Sequence, residues 1–191
     1  MGFFRDAALL LLQVAFGLVL LVFALRLLLP LTRVRFNNAI CQFVYKATNP
    51  VIGPVSQVVP ALRQFSLATL LVMWLILLVE IVLMFLIRGV PLRVDYLLLA
   101  SSVGLAHLLF GIGFWVVLFS AITSFFSPNP RNPAVEVLFS LAEPLLRPFR
   151  NFPPRNLPVS LAPLYATLAL RLILLALQHL LGPLYAFVLP L

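Results

Sequence analysis

Residues 66–87 read SLATLLVMWLILLVEIVLMFLI, a run in which Glu80 is the one charged residue. About 20 consecutive apolar residues are enough for a helix to cross the roughly 30 Å of bilayer hydrocarbon. A surface helix of a soluble protein shows a polar face at helical spacing, and this run has none. It is predicted to span a membrane. Working outward, three more apolar runs of similar or greater length occupy residues 7–31, 96–126 and 160–181. The sequence therefore predicts an all-α integral membrane protein with four transmembrane helices. The run near the N-terminus is longer than the roughly 7–15 apolar residues of a signal peptide and reads as a retained span.

The composition agrees. Of 191 residues, 63% are hydrophobic and 9% charged, with a mean hydropathy of +1.16. Soluble domains average about 45–50% apolar and about 25% charged. The same figures exclude intrinsic disorder, which needs low hydrophobicity and high charge. Cys41 is the sole cysteine, so no disulfide scaffold is possible within one chain.

The net charge of +8 comes from 13 Lys+Arg against 5 Asp+Glu. No basic run or basic helix face accompanies it, so nucleic acid is not predicted as a partner. The charges instead report topology. Arg33, Arg35, Lys46, Arg63, Arg131, Arg147, Arg150 and Arg155 fall in the first and third connections, whereas Arg5, Arg88 and Arg93 fall at the other ends of the spans. An excess of Lys and Arg marks the cytoplasmic side. Residues 32–65 and 127–159 are thus expected in the cytoplasm and both termini on the opposite face, which is the periplasmic one if the membrane is a bacterial inner membrane.

The chain is written twice. An offset equal to the separation of Pro50 and Pro144 also brings Asn38 onto Asn132, Pro54 onto Pro148, Pro60 onto Pro154, Phe16-Gly17 onto Phe110-Gly111, and Ser66-Leu67-Ala68 onto Ser160-Leu161-Ala162. Residues 1–94 and 95–191 therefore form two repeats of span, intervening segment and span. Two crossings per repeat give both copies one orientation, which predicts an approximate two-fold axis along the membrane normal. The Phe-Gly pairs are expected to be close-packing points between spans.

In the intervening segments, apolar residues recur at i, i+3 and i+4, the pattern of an amphipathic helix that lies at the interface. The pattern puts Ala39, Ile40, Phe43, Val44 and Ala47 on one face of the first, and Val137, Leu138, Leu141 and Ala142 on one face of the second. Glu136 and Glu143 read as solvated, Cys41 as a small apolar filler. Asn132 is predicted as an N-cap and Pro133 as the first helical residue. Pro50 and Pro144 are predicted to end the helices, since each removes a donor and restricts the residue before it. Residues 51–62 and 145–156 are expected to be short bent stretches near the headgroups, where Arg147, Arg150 and Arg155 can meet lipid phosphates.

Glu143-Pro144-Leu145-Leu146-Arg147-Pro148-Phe149-Arg150, followed by prolines and a span, resembles the signature of the YGGT family of small bacterial and plastid membrane proteins. Asn49-Pro50-Val51-Ile52-Gly53-Pro54 resembles its first-copy form. The resemblance covers nearly the whole chain, including its doubling. Leu157-Pro158-Val159-Ser160 departs from the family pattern by lacking an acidic residue. The resemblance implies no enzyme. It implies a membrane organiser or assembly helper, relatives having been linked to osmotic or potassium tolerance, to cofactor assembly on plastid cytochromes, and to division or nucleoid placement.

Polar groups deep in a span are functional candidates by default. Gln13, Glu80, His107 and Arg171 qualify. At about 1.5 Å per residue, Glu80, Arg171 and His107 lie about 12, 16 and 18 Å from the outer ends of their spans. Matched depth and opposite charge predict an ion pair between Glu80 and Arg171, with His107 nearby. Arg26, close to the inner end of its span, is expected to snorkel. No metal-ligand spacing, Cys-x-x-Cys-His, glycine-rich phosphate loop or nucleophile motif occurs, so neither catalysis nor a cofactor is predicted. The function expected is a non-enzymatic scaffold or assembly factor acting through its two interfacial segments, with Pro50, Pro54, Glu143, Pro144, Arg147, Pro148 and Arg150 as the partner motif. The alternative is a small potassium, proton or osmolyte conduit, or a modulator of one, using the intramembrane polar groups. The lipid bilayer and either a protein partner or a second copy are the partners implied.

Overall fold

The computed structural model describes residues 2–32, 38–59, 65–126, 132–150 and 161–187. Four of its helices are long and apolar enough to span a membrane. They are α1 (Gly2–Leu28, extended by a 3-10 turn at Leu29–Leu31), α3 (Leu67–Arg88), α4 (Val94–Phe125) and α6 (Ala162–Leu181). Two further helices intervene, α2 (Ala39–Val58) and α5 (Pro133–Leu146), and α5 runs into a 3-10 turn at Arg147–Phe149. A last 3-10 segment, Gly182–Phe187, follows α6.

Helix ends follow local chemistry. Ser66 caps α3 by accepting from the Thr69 amide at 3.2 Å. Gly89, at φ 67°, ends it in the left-handed conformation that only glycine adopts without cost. The Gly89 and Val90 amides then satisfy the Leu86 and Phe85 carbonyls. Asn38 and Asn132 occupy matched N-cap positions, accepting from the Ile40 and Ala134 amides at 2.9 Å each. Pro133 is the first residue of α5, as the sequence predicts.

Pro50 and Pro144 do not end their helices. α2 runs through Pro50 and Pro54 to Val58, and α5 runs through Pro144 to Leu146. All three prolines lie on exposed faces. The carbonyls they deprive of a partner therefore face outward, where water or headgroups can supply donors, and the opposite face stays packed. Residues 51–58 are accordingly helix, not a bent stretch. Arg33, Arg35, Arg63, Arg131, Arg155 and the stretch 157–160 lie outside the described residues.

The spans stand in a row. α1 packs on α3, α3 on α4, and α4 on α6. A two-fold axis relating the repeats would also lay α6 against α1 as α4 lies against α3, and no such packed interface forms among the described residues. The repeats follow one another instead of closing on themselves. Only 22% of the apolar window of α1 and of α6 is buried, against 39% for α3 and 44% for α4. The main core joins Leu20, Ala24 and Leu27 of α1 to Met73, Leu77 and Ile81 of α3 and to Ala100, Leu105 and Leu108 of α4. Gly113 is a close approach: a Cβ there would meet Leu145 Cδ1 at 3.3 Å.

α2 and α5 cross at one end of the bundle, and they do so unequally. α5 buries Val137, Leu141 and Ala142, as its periodicity predicts. α2 buries Cys41, Val44, Thr48 and Ile52, leaving Ala47 exposed and Phe43 65% exposed. The face predicted for α2 is thus rotated. Arg26 of α1 holds it so: its guanidinium lies 3.7 Å from the Tyr45 ring centroid and donates to Asn49 Oδ1 at 2.9 Å. At the position matching Arg26, α4 has Ser120, whose hydroxyl reaches only the Val117 carbonyl of its own helix.

Candidate functional site

The sequence nominates two regions, the intramembrane polar groups and the crossed pair α2/α5. In the first, Glu80 on α3 is fully buried, and neither carboxylate oxygen has a partner among the described residues. His107 on α4 is also buried, and neither ring nitrogen has a hydrogen-bond partner among the described residues. Its ring meets that of Tyr185 edge-on at 5.4 Å, and the Tyr185 hydroxyl accepts from Gln178 Nε2 at 3.0 Å. Gln13 is half-buried on α1.

Glu80 and Arg171 do not pair. α6 presents Ala162, Ala166, Leu170 and Leu174 inward. Arg171, one residue further around the helix, is exposed, its guanidinium 6.0 Å from the Phe114 ring centroid. α4 stands between α3 and α6 and separates the two charges. Sequence position sets how far along its helix a residue lies, not which neighbour its side chain faces.

The second region is polar at its joint and apolar within. The Asn38 side chain caps α2 through its oxygen, while its Nδ2 donates to the Pro133 carbonyl at 2.9 Å and to Glu136 Oε2 at 3.0 Å. One buried side chain thereby ties the start of α2 to the first turn of α5. Asn132, its counterpart, is exposed and caps only its own helix. Beneath this joint Cys41 and Val44 pack with Val137, Leu141 and Leu29. Burial, with the Glu136 carboxylate nearby, pushes the Cys41 thiol above its ordinary range. Glu136 is therefore a bonded group and not merely solvated.

Glu143 is bonded as well, forming an ion pair with Arg150. The two line an open cleft of about 660 Å³ together with Ser140, Pro144, Arg147 and Phe139 of the second repeat and Leu31 and Thr32 at the end of the first span. The cleft thus gathers Glu143, Pro144, Arg147 and Arg150 of the proposed motif. Pro148 is exposed on the following turn, while Pro50 and Pro54 lie on the outer face of α2. Sequence reasoning gave Asn38 and Arg26 too small a part. The sequence offers Asn38 as a repeat match and as part of a polar helix face, and nothing local signals a bond to a residue in the other repeat.

The sequence profile of the CCB3/YggT family matches the chain twice, over residues 6–87 and 99–181. An uncharacterised protein of Pseudomonas aeruginosa, PA0392, is 33% identical over 171 residues, covering 88% of this chain and 87% of its own length. The uncharacterised protein YggT of Escherichia coli K12 is 35% identical over 166 residues, 85% of each chain. A Vibrio alginolyticus protein from the proC 3' region is 32% identical over 178 residues, 92% of this chain and 95% of its own. No solved structure matches. Two matched copies, four apolar helices and relatives aligned over 85–95% of their own length lead to one assignment: the chain belongs to the CCB3/YggT family, as a tandem repeat of its unit.

Proposed function

We propose that this protein is a non-enzymatic scaffold or assembly factor of the bacterial inner membrane, which binds a protein partner through α2, α5 and the cleft beside them. Lys46, Arg147 and Arg150 lie on this region, and the basic excess supports a cytoplasmic position for it. The observation that carries the reading is the outward face of the pair. Phe43, Val51 and Val58 are 65, 45 and 82% exposed, beside Pro50 and Pro54. Next to them is a cleft whose charged groups, Glu143, Arg147 and Arg150, are open to a ligand. Rigid apolar and proline-bearing surface rimmed by charge is the composition of a docking site. Nothing in the family or the fold points to catalysis.

Photo-crosslinking in native membranes tests this. A benzoylphenylalanine at Phe43 or Phe139 is expected to give a protein adduct of one discrete mass, and the Phe139 adduct to be lost when Glu143 and Arg150 are both changed to Ala. A probe at Leu75, exposed on the span α3, is the control. Adducts to lipid alone from all three positions would end the scaffold reading.

A conduit is the second reading. It is favoured by one observation, that Glu80 and His107 are buried in spans without bonded partners among the described residues, since such groups mark ion and proton pathways in membranes. Potassium or proton flux through the pure protein in liposomes, lost in Glu80→Gln while the variant remains folded, is what this reading requires.

A further inference from the structure

The row of spans has two unlike ends, and the repeat shows what fits between them. Inside the chain, the junction of the two repeats is the packing of α3 on α4. Leu70 and Trp74 line one groove with Leu105, and Trp74 Nε1 donates to Ser102 Oγ at 3.3 Å. Leu77, Ile81 and Phe85, on the same face of α3 at i+3 and i+4 steps, join Ala100, Leu105, Leu108 and Ile112 of α4 in one cluster.

By the repeat offset, the counterparts of Leu70, Trp74, Leu77, Ile81 and Phe85 on α6 are Leu164, Leu168, Arg171, Leu175 and His179, and every one of them is exposed. The counterparts of Leu105, Leu108 and Ile112 on α1 are Leu11, Val14 and Leu18, also exposed. The second repeat thus ends in the face that the first repeat covers, and the first repeat begins with the face that would cover it. Charge agrees with shape. Arg171 stands where Leu77 does and Asp6 where Ala100 does, two positions that are both fully buried in the internal interface. An arginine facing lipid near mid-span is costly without a partner. Asp6 is the acid that the same packing brings toward it, and no ion pair engages Asp6 within the described residues.

We infer that copies of this chain associate side by side, α6 of one packing on α1 of the next as α3 packs on α4, with Arg171 against Asp6 of the neighbour. The interface joins unlike faces, so it closes into a ring or continues as a row. This goes beyond the docking function and does not depend on it.

Cysteine pairs at the counterparts of the internal contacts decide the matter. Ala8→Cys with Leu168→Cys matches Ser102 and Trp74, and Leu11→Cys with Leu164→Cys matches Leu105 and Leu70. Oxidised in native vesicles, each double variant is expected to give a disulfide-linked dimer and higher bands, and each single variant none. Asp6→Arg or Arg171→Asp should lower the linked fraction roughly tenfold, the size of one interhelical polar contact in lipid, and the double exchange should restore it. Linking by Ala8→Cys alone, no linking by either pair, or no restoration by the exchange would overturn the inference. If Arg171→Asp fails to insert, Asp6→Arg and the two cysteine pairs still decide it.

Discussion

Asn38 Nδ2 lies 3.0 Å from Glu136 Oε2, a hydrogen bond between the two repeats made by a residue whose own counterpart, Asn132, makes none among the described residues. The doubled sequence thus gives a structure that is not doubled, and the asymmetry can be measured. Asn132→Ala removes a helix cap and is expected to cost about 1 kcal/mol. Asn38→Ala removes the same cap and a buried bond to a charged acceptor, costing about 1.5–3 kcal/mol more. Asn38→Asp separates the terms: it keeps a good cap but sets a carboxylate against Glu136, so it should be no better than Asn38→Ala. Thermal unfolding midpoints in one detergent, ranked with Asn132→Ala highest, check this. Equal losses for Asn38→Ala and Asn132→Ala would mean that the joint contributes nothing.

Arg26 sets which face α2 turns inward. Its guanidinium stacks on Tyr45 and bonds Asn49, geometry that a lysine ammonium does not reproduce. Arg26→Lys is expected to lose about 1 kcal/mol or more of the cation–π and hydrogen-bond contribution. In a double-mutant cycle with Tyr45→Leu the two losses should fall short of additive. Solvent accessibility of a cysteine at Phe43 reports the rotation directly: it is high in the parent and should drop in Arg26→Ala as α2 rolls toward the α5-like face. An unchanged labelling rate would remove Arg26 as the cause.

The four spans were legible because hydropathy over some twenty residues does not depend on tertiary contacts; 66–87 becomes Leu67–Arg88 and 160–181 becomes Ala162–Leu181. α5 was legible because its periodicity and its packing agree. α2 was not, because the force that turns it comes from Arg26 on another helix. Pro50 and Pro144 misled because the rule for prolines inside helices assumes that the freed carbonyl has no other donor, whereas both lie on exposed faces. The Glu80–Arg171 pair failed because sequence position gives depth, while the neighbours of a face are settled by the order of the row.

That separation makes Glu80 and Arg171 independent. Groups without shared partners add within about 0.5 kcal/mol, whereas breaking one half of a true buried pair costs far more than removing both. Glu80→Leu, Arg171→Leu and the double variant are therefore expected to show additive shifts in unfolding midpoint. Because both Glu80 oxygens lack partners among the described residues, Glu80→Leu should leave stability unchanged or raise it. A double variant more stable than either single one by more than the additive sum would place the two side chains in contact.

Cys41 supplies the pH dependence. Burial and the nearby Glu136 hold its thiol above the ordinary range, so at a given pH less thiolate is present than in the unfolded chain. The sign follows from linkage. As pH rises through the ordinary thiol range, about 8.5, the unfolded chain loses its proton first. The folded state, still protonated, loses relative stability until its own higher pKa is passed. The wild type should therefore become less stable between that point and strongly alkaline pH, while Cys41→Ala lacks this component. Maleimide labelling checks the same shift independently, because the thiolate is the nucleophile. Labelling of the folded protein should be slower than of the denatured chain and should rise at higher pH. Asn38→Ala, by loosening the α2/α5 joint above Cys41, should speed it; equal rates in the parent and in Asn38→Ala would mean that this joint does not control access to the thiol.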